Sequence, residues 1–308
     1  VGDVTILSNG VMTLAPAFTN GAMSNRVNLA CSNLSIQALG AINADEKGYF
    51  PWHGPGTGVN TYYGRGAGYG GRGGIGYPNE QFAGGSAYGS ISAPVEAGSG
   101  AGTYPTTGWQ VQGGCGGGAV RIVASGTVTV EGTISANGGT ALGQHAGGGS
   151  GGGIYITCWT FGGSSSGIIR ANGGNTYNNI AGGGAGGRMA VQYQNLSTPH
   201  TVRFSASGST ADWATANLTN GWPWAAQMGT LWLPDTSLLS TNLTDWQFRD
   251  VCLSISNTAG WAVSRLAVSN CSLTFVDSGF VVTVTNDLII GTDGSLGLGA
   301  YYGAGTNH

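Results

Sequence analysis

Acidic side chains are scattered along this sequence in a way that does not suggest a catalytic pair. Hydrolysis of a glycosidic bond requires two carboxyl groups held close to each other. Of the 13 acidic residues, only Asp45 and Glu46 are adjacent, while Asp245 and Asp250 lie in a tryptophan-rich stretch. The sequence contains no Asp-Asp pair, no Gly-His-Gly and no Arg-x-Lys motif. We therefore predict that the chain is not an enzyme and has neither hydrolase nor lyase activity.

Residues that commonly bind metals are also dispersed. The four histidines (His53, His145, His200 and His308) do not have the spacing of metal ligands, and none of the five cysteines forms a Cys-x-x-Cys pair. A calcium site would need several converging aspartates. The glycine runs lack the lysine and the following helix of a phosphate-binding loop. The sequence therefore predicts no metal, no cofactor and no catalytic residue.

Two of the cysteines, Cys252 and Cys271, lie nineteen residues apart in strand-like sequence. If nineteen residues make one turn of a stacked β-structure, the two thiols would lie on neighbouring strands within disulfide distance. The alternative is that both are buried free cysteines. Because the total number of cysteines is odd, at least one thiol is left unpaired or pairs with another chain.

Other side chains suggest contact with glycans. Asn-x-Ser/Thr sequences mark glycosylation sites in a secreted eukaryotic chain, although asparagine is also common in turns. These sequences begin at Asn33, Asn195, Asn217, Asn242 and Asn270. Trp213, Trp222 and Trp224 belong to a tryptophan cluster that could stack against sugar rings. The alternative is that the cluster forms a small satellite hydrophobic core.

The charge balance excludes one class of partner. The 308 residues include 10 basic and 13 acidic side chains, which gives a net charge of −3. Without a basic patch the chain cannot neutralise phosphates, so we predict that it does not bind nucleic acid. No apolar run reaches eighteen residues, so no membrane span is expected. The first residue is Val1 rather than methionine, from which we expect a processed, exported protein that is extracellular or on the cell surface.

A repeated unit organises the centre of the sequence. Residues 147–156 (GGGSGGGIYI) match residues 182–191 (GGGAGGRMAV), and residues 132–139 (GTISANGG) match residues 167–174 (GIIRANGG) at the same spacing. A third glycine run occupies residues 113–118. Each unit contains a glycine run and two short strands with alternating apolar residues. Because a single strand of this kind cannot bury its apolar face, the period predicts stacked copies.

The glycine runs allow neighbouring backbones to approach more closely than a Cβ atom would permit. Two conformations fit them, which are tight turns between strands or extended polyglycine helices with three residues per turn. A flexible linker is the alternative. It does not explain why an apolar strand follows each run at the same offset.

Composition divides the chain into five segments. The outer two and the central one read as strands, the second is rich in glycine and tyrosine, and the fourth is rich in tryptophan. We expect N-terminal β-solenoid turns in 1–50, an excursion in 51–112 that packs on the solenoid or on a neighbouring subunit, repeats in 113–193, a tryptophan-rich insertion or cap in 194–250 and C-terminal β-solenoid turns in 251–308.

The Gly-x-Ile-x-Ala-Asn-Gly-Gly and Gly-Gly-Gly-x-Gly-Gly-Arg sequences, with the strands of 251–300, resemble those of glycine-rich β-solenoid proteins of bacterial surfaces. These belong to the right-handed parallel β-helix, or pectin-lyase-like, superfamily. The resemblance covers about 1–50, 113–193 and 251–300. It implies an all-β fold, a parallel β-helix (β-solenoid) with glycine-rich turns or polyglycine segments and loop insertions. Members of the superfamily include lyases, hydrolases, adhesins and fibres, so the resemblance does not choose a function.

Two functions remain open. The first is a structural subunit of an extracellular fibre or cell-surface filament that assembles head to tail with itself. It is motivated by the similarity of residues 268–275 to residues 7–14 and by the lack of charged caps at either end. The second is a carbohydrate-active or glycan-binding β-helix protein, lyase-like, hydrolase-like or an adhesin, with a surface polysaccharide as partner. The missing acid pairs favour the first.

Overall fold

The computed structural model describes residues 1–21, 25–59, 62–76, 84–103, 112–177, 180–209 and 225–299. Every regular element in these residues is a β-strand, and they contain no helix, so the predicted all-β class is confirmed. The strands are β1 (Val4–Ile6), β2 (Val11–Thr13), β3 (Arg26–Cys31), β4 (Leu34–Ile36), β5 (Ala41–Asn43), β6 (Ala119–Ala124), β7 (Thr127–Val130), β8 (Thr133–Ser135), β9 (Gly153–Thr157), β10 (Thr160–Gly163), β11 (Ile168–Arg170), β12 (Arg188–Gln192), β13 (Asn195–His200), β14 (Arg203–Ser205), β15 (Gly229–Leu233), β16 (Asn242–Leu243), β17 (Phe248–Arg249), β18 (Val251–Ile255), β19 (Gly260–Val268), β20 (Cys271–Phe275), β21 (Val281–Ile290) and β22 (Gly294–Leu298).

The strands form four sheets, and the pairings between them are parallel. Sheet A has the order β1-β4-β7-β10-β13, and sheet B has the order β17-β14-β11-β8-β5-β2. Sheet C has the order β22-β20-β18-β15-β12-β9-β6-β3, and sheet D has the order β16-β19-β21. From β1 to β15 the chain therefore contributes one strand to sheet A, one to sheet B and one to sheet C in turn. One pass through all three sheets is termed a round. Consecutive rounds lie side by side.

The interior is built from ladders of equivalent apolar residues in successive rounds. In sheet B, Ile42 pairs with Ile134, Ile134 with Ile169, and Ile169 with Phe204. All four side chains are buried. Burial of such a side chain contributes roughly 1.5–3 kcal/mol. The repeat predicts that Ile134 and either Ile168 or Ile169 point inward at equivalent places, and the structure shows that the second residue is Ile169.

A second ladder of polar side chains explains the asparagine of the Ala-Asn-Gly-Gly motif. The Asn137 N–H donates to Oδ1 of Asp45 at 2.7 Å, and the Asn172 N–H donates to Oδ1 of Asn137 at 2.8 Å. The Ser207 N–H donates in turn to Oδ1 of Asn172 at 2.9 Å. Each of these side chains therefore accepts a hydrogen bond from the backbone of the next round, which would otherwise leave a donor unpaired where sheet B ends.

The glycine runs form an extended lattice of backbone hydrogen bonds, with residues 147–152 at its centre. Their N–H groups donate to three neighbouring segments in strict rotation. In order, residues 147 to 152 donate to the carbonyls of Gly102, Gly182, Gly139, Ser99, Ala185 and Ala136, with N···O distances of 3.0, 3.0, 3.0, 3.1, 2.9 and 2.7 Å. Three residues per turn is the repeat of a polyproline II helix. The extended helix, rather than the tight turn, is therefore the conformation of this run.

The same run accepts hydrogen bonds from three further segments. Gly114 donates to the carbonyl of Gly147, Ala67 to that of Gly148, and Gly174 to that of Gly149. Six segments thus surround residues 147–152. Because a Cβ atom at Gly148 would lie 1.9 Å from the Gly174 carbonyl oxygen, the spacing of the lattice requires glycine.

The glycine- and tyrosine-rich excursion packs on the rest of the chain. It joins β5 to β6 and covers the outer face of sheet C, where the Arg188 Nε donates to the carbonyl of Tyr88 at 2.7 Å. The Arg188 guanidinium also lies over the Tyr69 ring, 5.7 Å from its centroid. Ala67 of the excursion receives a bond from the Ala185 N–H in the glycine run before β12.

Residues 194–250, expected to be an insertion, instead carry β13 to β17. Asn195 pairs with Thr160, Phe204 with Ile169, and Leu231 with Met189. The sequence of this segment does not reveal the repeat, because it lacks the glycine run of the earlier copies although its strands keep the equivalent positions. Residues 210–224 lie outside the described residues.

Candidate functional site

The two ends of the strand stack present edges. Among the described residues, β1, β2 and β3 each have a partner strand on one side only, and so do β21 and β22 at the far end of the stack. β13, β16 and β17 are also edge strands, at one end of sheets A, D and B respectively. We term β1–β3 the N-end surface and β21–β22 the C-end surface. An edge strand exposes unpaired N–H and C=O groups that can pair with a further strand.

Interior residues are uncovered at the C-end surface. Leu288 pairs with Leu266, and Ile290 pairs with Val268. Leu266 and Val268 are 0% exposed, whereas Leu288 is 53% and Ile290 is 47% exposed. These β21 side chains continue the apolar ladder and lack the next round that covers it elsewhere.

The N-end surface is the counterpart. Met12 heads the sheet B ladder through its pairing with Ile42 and is half-buried. In sheet C, Val27 and Leu29 of β3 pair with Val120 and Ile122. Both surfaces therefore combine unpaired backbone groups with apolar ladder residues.

In the described residues, several acidic side chains accept hydrogen bonds that stabilise turns or connect neighbouring strands. Glu131 accepts hydrogen bonds from the N–H and Oγ of Ser164 and from the Oγ of Ser166. Burial alone would raise the pKa of Glu131, but these hydrogen bonds outweigh it and the pKa is lowered. Asp277 similarly accepts from the Ser254 hydroxyl at 2.8 Å and from the Ile255 N–H at 2.6 Å.

The histidines in the described part of the chain do not converge. His53 contacts the Pro51 carbonyl through Nδ1, His145 packs its ring against Tyr63, and His200 contacts the Ser197 carbonyl. His308 lies outside the described residues. No group of three or more His, Cys, Asp or Glu side chains that could hold a metal ion is found in the part of the chain that the structure describes.

The predicted disulfide between Cys252 and Cys271 is wrong, since both are free thiols. Cys252 pairs with Thr274, so Cys271 lies three residues away from the position opposite Cys252. In addition, Cys271 faces the interior with Leu273, whereas Cys252 shares the outer face of sheet C with Thr230. One turn of the stack is longer at this point than the nineteen-residue spacing assumed.

Burial makes these thiols poor nucleophiles. It raises the pKa of Cys158 and of Cys252 to about 12. Burial, followed by the negative charge of Glu46, raises the pKa of Cys115 to about 11. Because the thiolate is the reactive species, Cys115, Cys158 and Cys252 are poorly reactive at neutral pH.

The predicted glycan contacts occupy different parts of the surface. Asn33, Asn195 and Asn242 are exposed, and Asn270 is half-buried in a turn with φ of 48°. Asn33 already donates through Nδ2 to Asp3 and accepts through Oδ1 from the Thr127 N–H. Asn217 and the three tryptophans proposed to stack on sugars, Trp213, Trp222 and Trp224, lie outside the described residues. The glycosylation sites stay predictions.

Sequence reasoning missed a cluster of arginines on the outer face of sheet B. Arg170, Arg203 and Arg249 lie on β11, β14 and β17 and line one pocket together with Trp246. The signal available was the repeat itself, since Arg170 replaces Ser135 at the same position of the Ala-Asn-Gly-Gly unit. We term this site the arginine pocket.

Comparison with protein-family models finds none that matches the chain, and comparisons with curated proteins and with solved structures find no match either. Among the described residues, none forms a helix long and apolar enough to cross a membrane.

Proposed function

We propose that this chain is a β-solenoid and a structural subunit of an extracellular fibre or cell-surface filament, in which copies associate head to tail. The observation that carries the proposal is the uncovered interior at the C-end surface, where Leu288 and Ile290 continue a ladder that is otherwise buried. Contiguous exposed apolar surface next to an unpaired strand edge is typical of an interaction site.

The geometry of the sheets favours a second copy as the partner. β3 and β22 are the two ends of one parallel sheet, sheet C. A second copy moved along the stack would place its β3 beside β22 by the same translation that relates neighbouring strands, roughly 4.8 Å. Val27 and Leu29 would then extend the ladder that ends at Leu296 and Leu298.

Such an interface joins two different surfaces of the same chain. A head-to-tail contact of this kind does not close on itself, so it propagates into a filament. Charged residues and prolines in an edge strand usually block the addition of a further strand. At the C-end surface, Asp287 is the one charged residue of β21, and β22 has no charged residue.

A lysine on the interior side of β21 tests the proposal. Leu288→Lys would place a charge inside the joined ladder, which strongly disfavours association because a buried charge must be paired. We expect wild-type chains to form concentration-dependent oligomers in sedimentation velocity and filaments in electron micrographs. We expect the variant to sediment as a monomer.

Ile289→Lys is the matched control. Ile289 is the next residue of the same strand and pairs with Ala267 on the outer face, so its lysine would stay in solvent and association should persist. Equal loss in both variants would mean that the interior ladder is not the contact. Monodisperse wild-type monomers at high concentration would refute assembly by copies and would leave these edges to be covered by further sequence of a longer chain.

Three accompanying properties are part of the proposal. We propose that the chain has no hydrolase or lyase activity, because its sequence lacks a catalytic acid pair and acids such as Glu131 and Asp277 are engaged in turns. An extracellular location fits a fibre subunit. A surface polysaccharide is proposed as a second partner, and it is supported by the arginine pocket. Turnover of pectate, alginate or galacturonan that one acid-to-amide change abolishes would overturn the first of these.

A further inference from the structure

Strand register brings the three arginines of the arginine pocket together. Arg170 pairs with Ser205, and Ser205 pairs with Arg249, so the two arginines flank a small residue on the same face. Their Cα atoms are separated by two strand spacings, roughly 9–10 Å. Arg203 precedes Ser205 by two residues and points to the same side, since alternate residues share a face. The three guanidinium groups surround the space above Ser205.

The walls of this space are fixed by packing and hydrogen bonds. The Ser205 hydroxyl donates to Oδ1 of Asn172 at 2.7 Å, which holds the floor of the pocket. The Arg249 guanidinium lies over the Trp246 ring, 5.1 Å from its centroid, so a cation–π contact orients it. The cavity measures about 160 Å³, and its eight lining residues include the apolar side chains of Ile168 and Phe204.

Positive charge in the pocket is not neutralised by its walls. None of the eight lining residues is acidic, although the chain as a whole carries a net charge of −3. The Nε atoms of Arg170 and Arg203 are buried and have no hydrogen-bond partner among the described residues. Buried donors on a charged group without an acceptor are costly. An acceptor that settled among these guanidinium groups would relieve this cost.

We propose that the arginine pocket binds an oxyanion, a carboxylate or sulfate group, displayed by an acidic polysaccharide. Guanidinium groups hold such oxygens through paired, charge-assisted hydrogen bonds. The cavity is smaller than pockets that enclose a drug-sized ligand, so it accepts one charged group while the remainder of the ligand stays outside. Although β17 is the last strand of sheet B, β18 to β22 continue the stack beyond it. The pocket therefore lies outside the N-end and C-end surfaces and is independent of head-to-tail assembly.

Isothermal titration calorimetry of the full chain tests the proposal with three probes. Trigalacturonate carries carboxylates on a sugar chain, inorganic sulfate supplies the free anion, and maltotriose is the neutral sugar. We expect trigalacturonate to bind and maltotriose not to bind. Binding of sulfate alone would confirm an oxyanion site and overturn the polysaccharide as its source, whereas absence of binding by both anions would overturn the site.

Substitutions locate the binding. Arg203→Gln and Arg170→Gln should each weaken the affinity for trigalacturonate about tenfold or more, because the loss of a hydrogen bond to a charged group reduces affinity by about that factor. Arg121→Gln is the control, since Arg121 is an arginine on sheet C that bonds to Asn28 at 3.2 Å on the exposed surface. An equal loss in Arg121→Gln would show general charge attraction and refute the pocket. Unchanged near-ultraviolet circular dichroism verifies that each variant is folded.

Discussion

Gly149 lies at the centre of the glycine lattice, and adding one methyl group to it gives the most direct test of the fold. The Gly149 N–H donates to the Gly139 carbonyl, and its own carbonyl accepts from Gly174. A Cβ atom at this position would lie 1.9 Å from the Cys115 carbonyl oxygen and 2.5 Å from the Cys115 carbonyl carbon. Both contacts are to backbone, so no side chain can rotate away.

The cost of Gly149→Ala follows from the displacement that the clash demands. Carbon and oxygen atoms without a bond between them remain more than 3 Å apart, so residues 147–152 or their neighbours must shift by about 1 Å or more. That shift disturbs the six N–H···O bonds that these residues donate. At roughly 0.5–1.5 kcal/mol for each hydrogen bond, the loss is about 3–9 kcal/mol, which is comparable to the whole stability of a typical domain.

Urea unfolding followed by circular dichroism measures the effect. We expect Gly149→Ala to unfold at a much lower urea concentration than the wild type, or not to fold. Gly21→Ala is the control, because nothing lies within 4 Å of a Cβ atom built there. It should be neutral or slightly stabilising, since alanine restricts the unfolded chain. A loss of less than about 1 kcal/mol for Gly149→Ala would refute the close packing on which the magnitude rests.

Two further predictions concern polar side chains. Asn172→Ala removes the acceptor for the Ser207 N–H and the Ser205 hydroxyl, so we expect a loss of about 1–3 kcal/mol in urea unfolding; Asn172→Asp keeps the acceptor and should lose less, and equal losses would contradict the ladder. The lowered pKa of Glu131 contributes stability above its unfolded pKa, about 4.5, and that contribution disappears as the pH falls through the lower folded pKa. Glu131→Gln should therefore flatten the acid limb of the stability curve, and an unchanged limb would rule out this assignment.

The strands and their stacking could be predicted because the sequence repeats them. Ile134 and Ile169 occupy the same position in two copies of one motif, so a shared inward direction follows from period and alternation alone. The function of the asparagine in that motif could not be derived in the same way. Its Oδ1 bonds the backbone of the next round, as in the Asn137–Asn172 pair, and such a contact requires the register between rounds.

Unequal round lengths account for what the sequence missed. A turn of nineteen residues would place Cys271 opposite Cys252, whereas the register places Thr274 there. The register between rounds of different length also places Arg170 and Arg249 on either side of Ser205. The intervals between these residues differ, because each round contains loops of its own length, and no single period reveals that they share a face.

The glycine lattice raises a question of stability, because it lacks the side chains that supply hydrophobic free energy elsewhere. Glycine also loses more backbone freedom on folding than any other residue. The sheets provide the compensation. Residues 136–141 continue from β8, and residues 147–152 lead into β9, so the buried ladders anchor both ends of this glycine loop.

The order of the glycine- and tyrosine-rich excursion also depends on the stacking of the rounds. Residues 64–69 bond to two glycine runs at once, since Ala67 donates to Gly148 and accepts from Ala185. Those runs are adjacent only when their rounds are stacked. The hydrogen bonds that order the excursion therefore exist only in the stacked chain. In a filament this arrangement would leave the apolar ladders to make the contacts between copies, while the glycine lattice, bonded in several directions around each segment, would stiffen one side of every subunit.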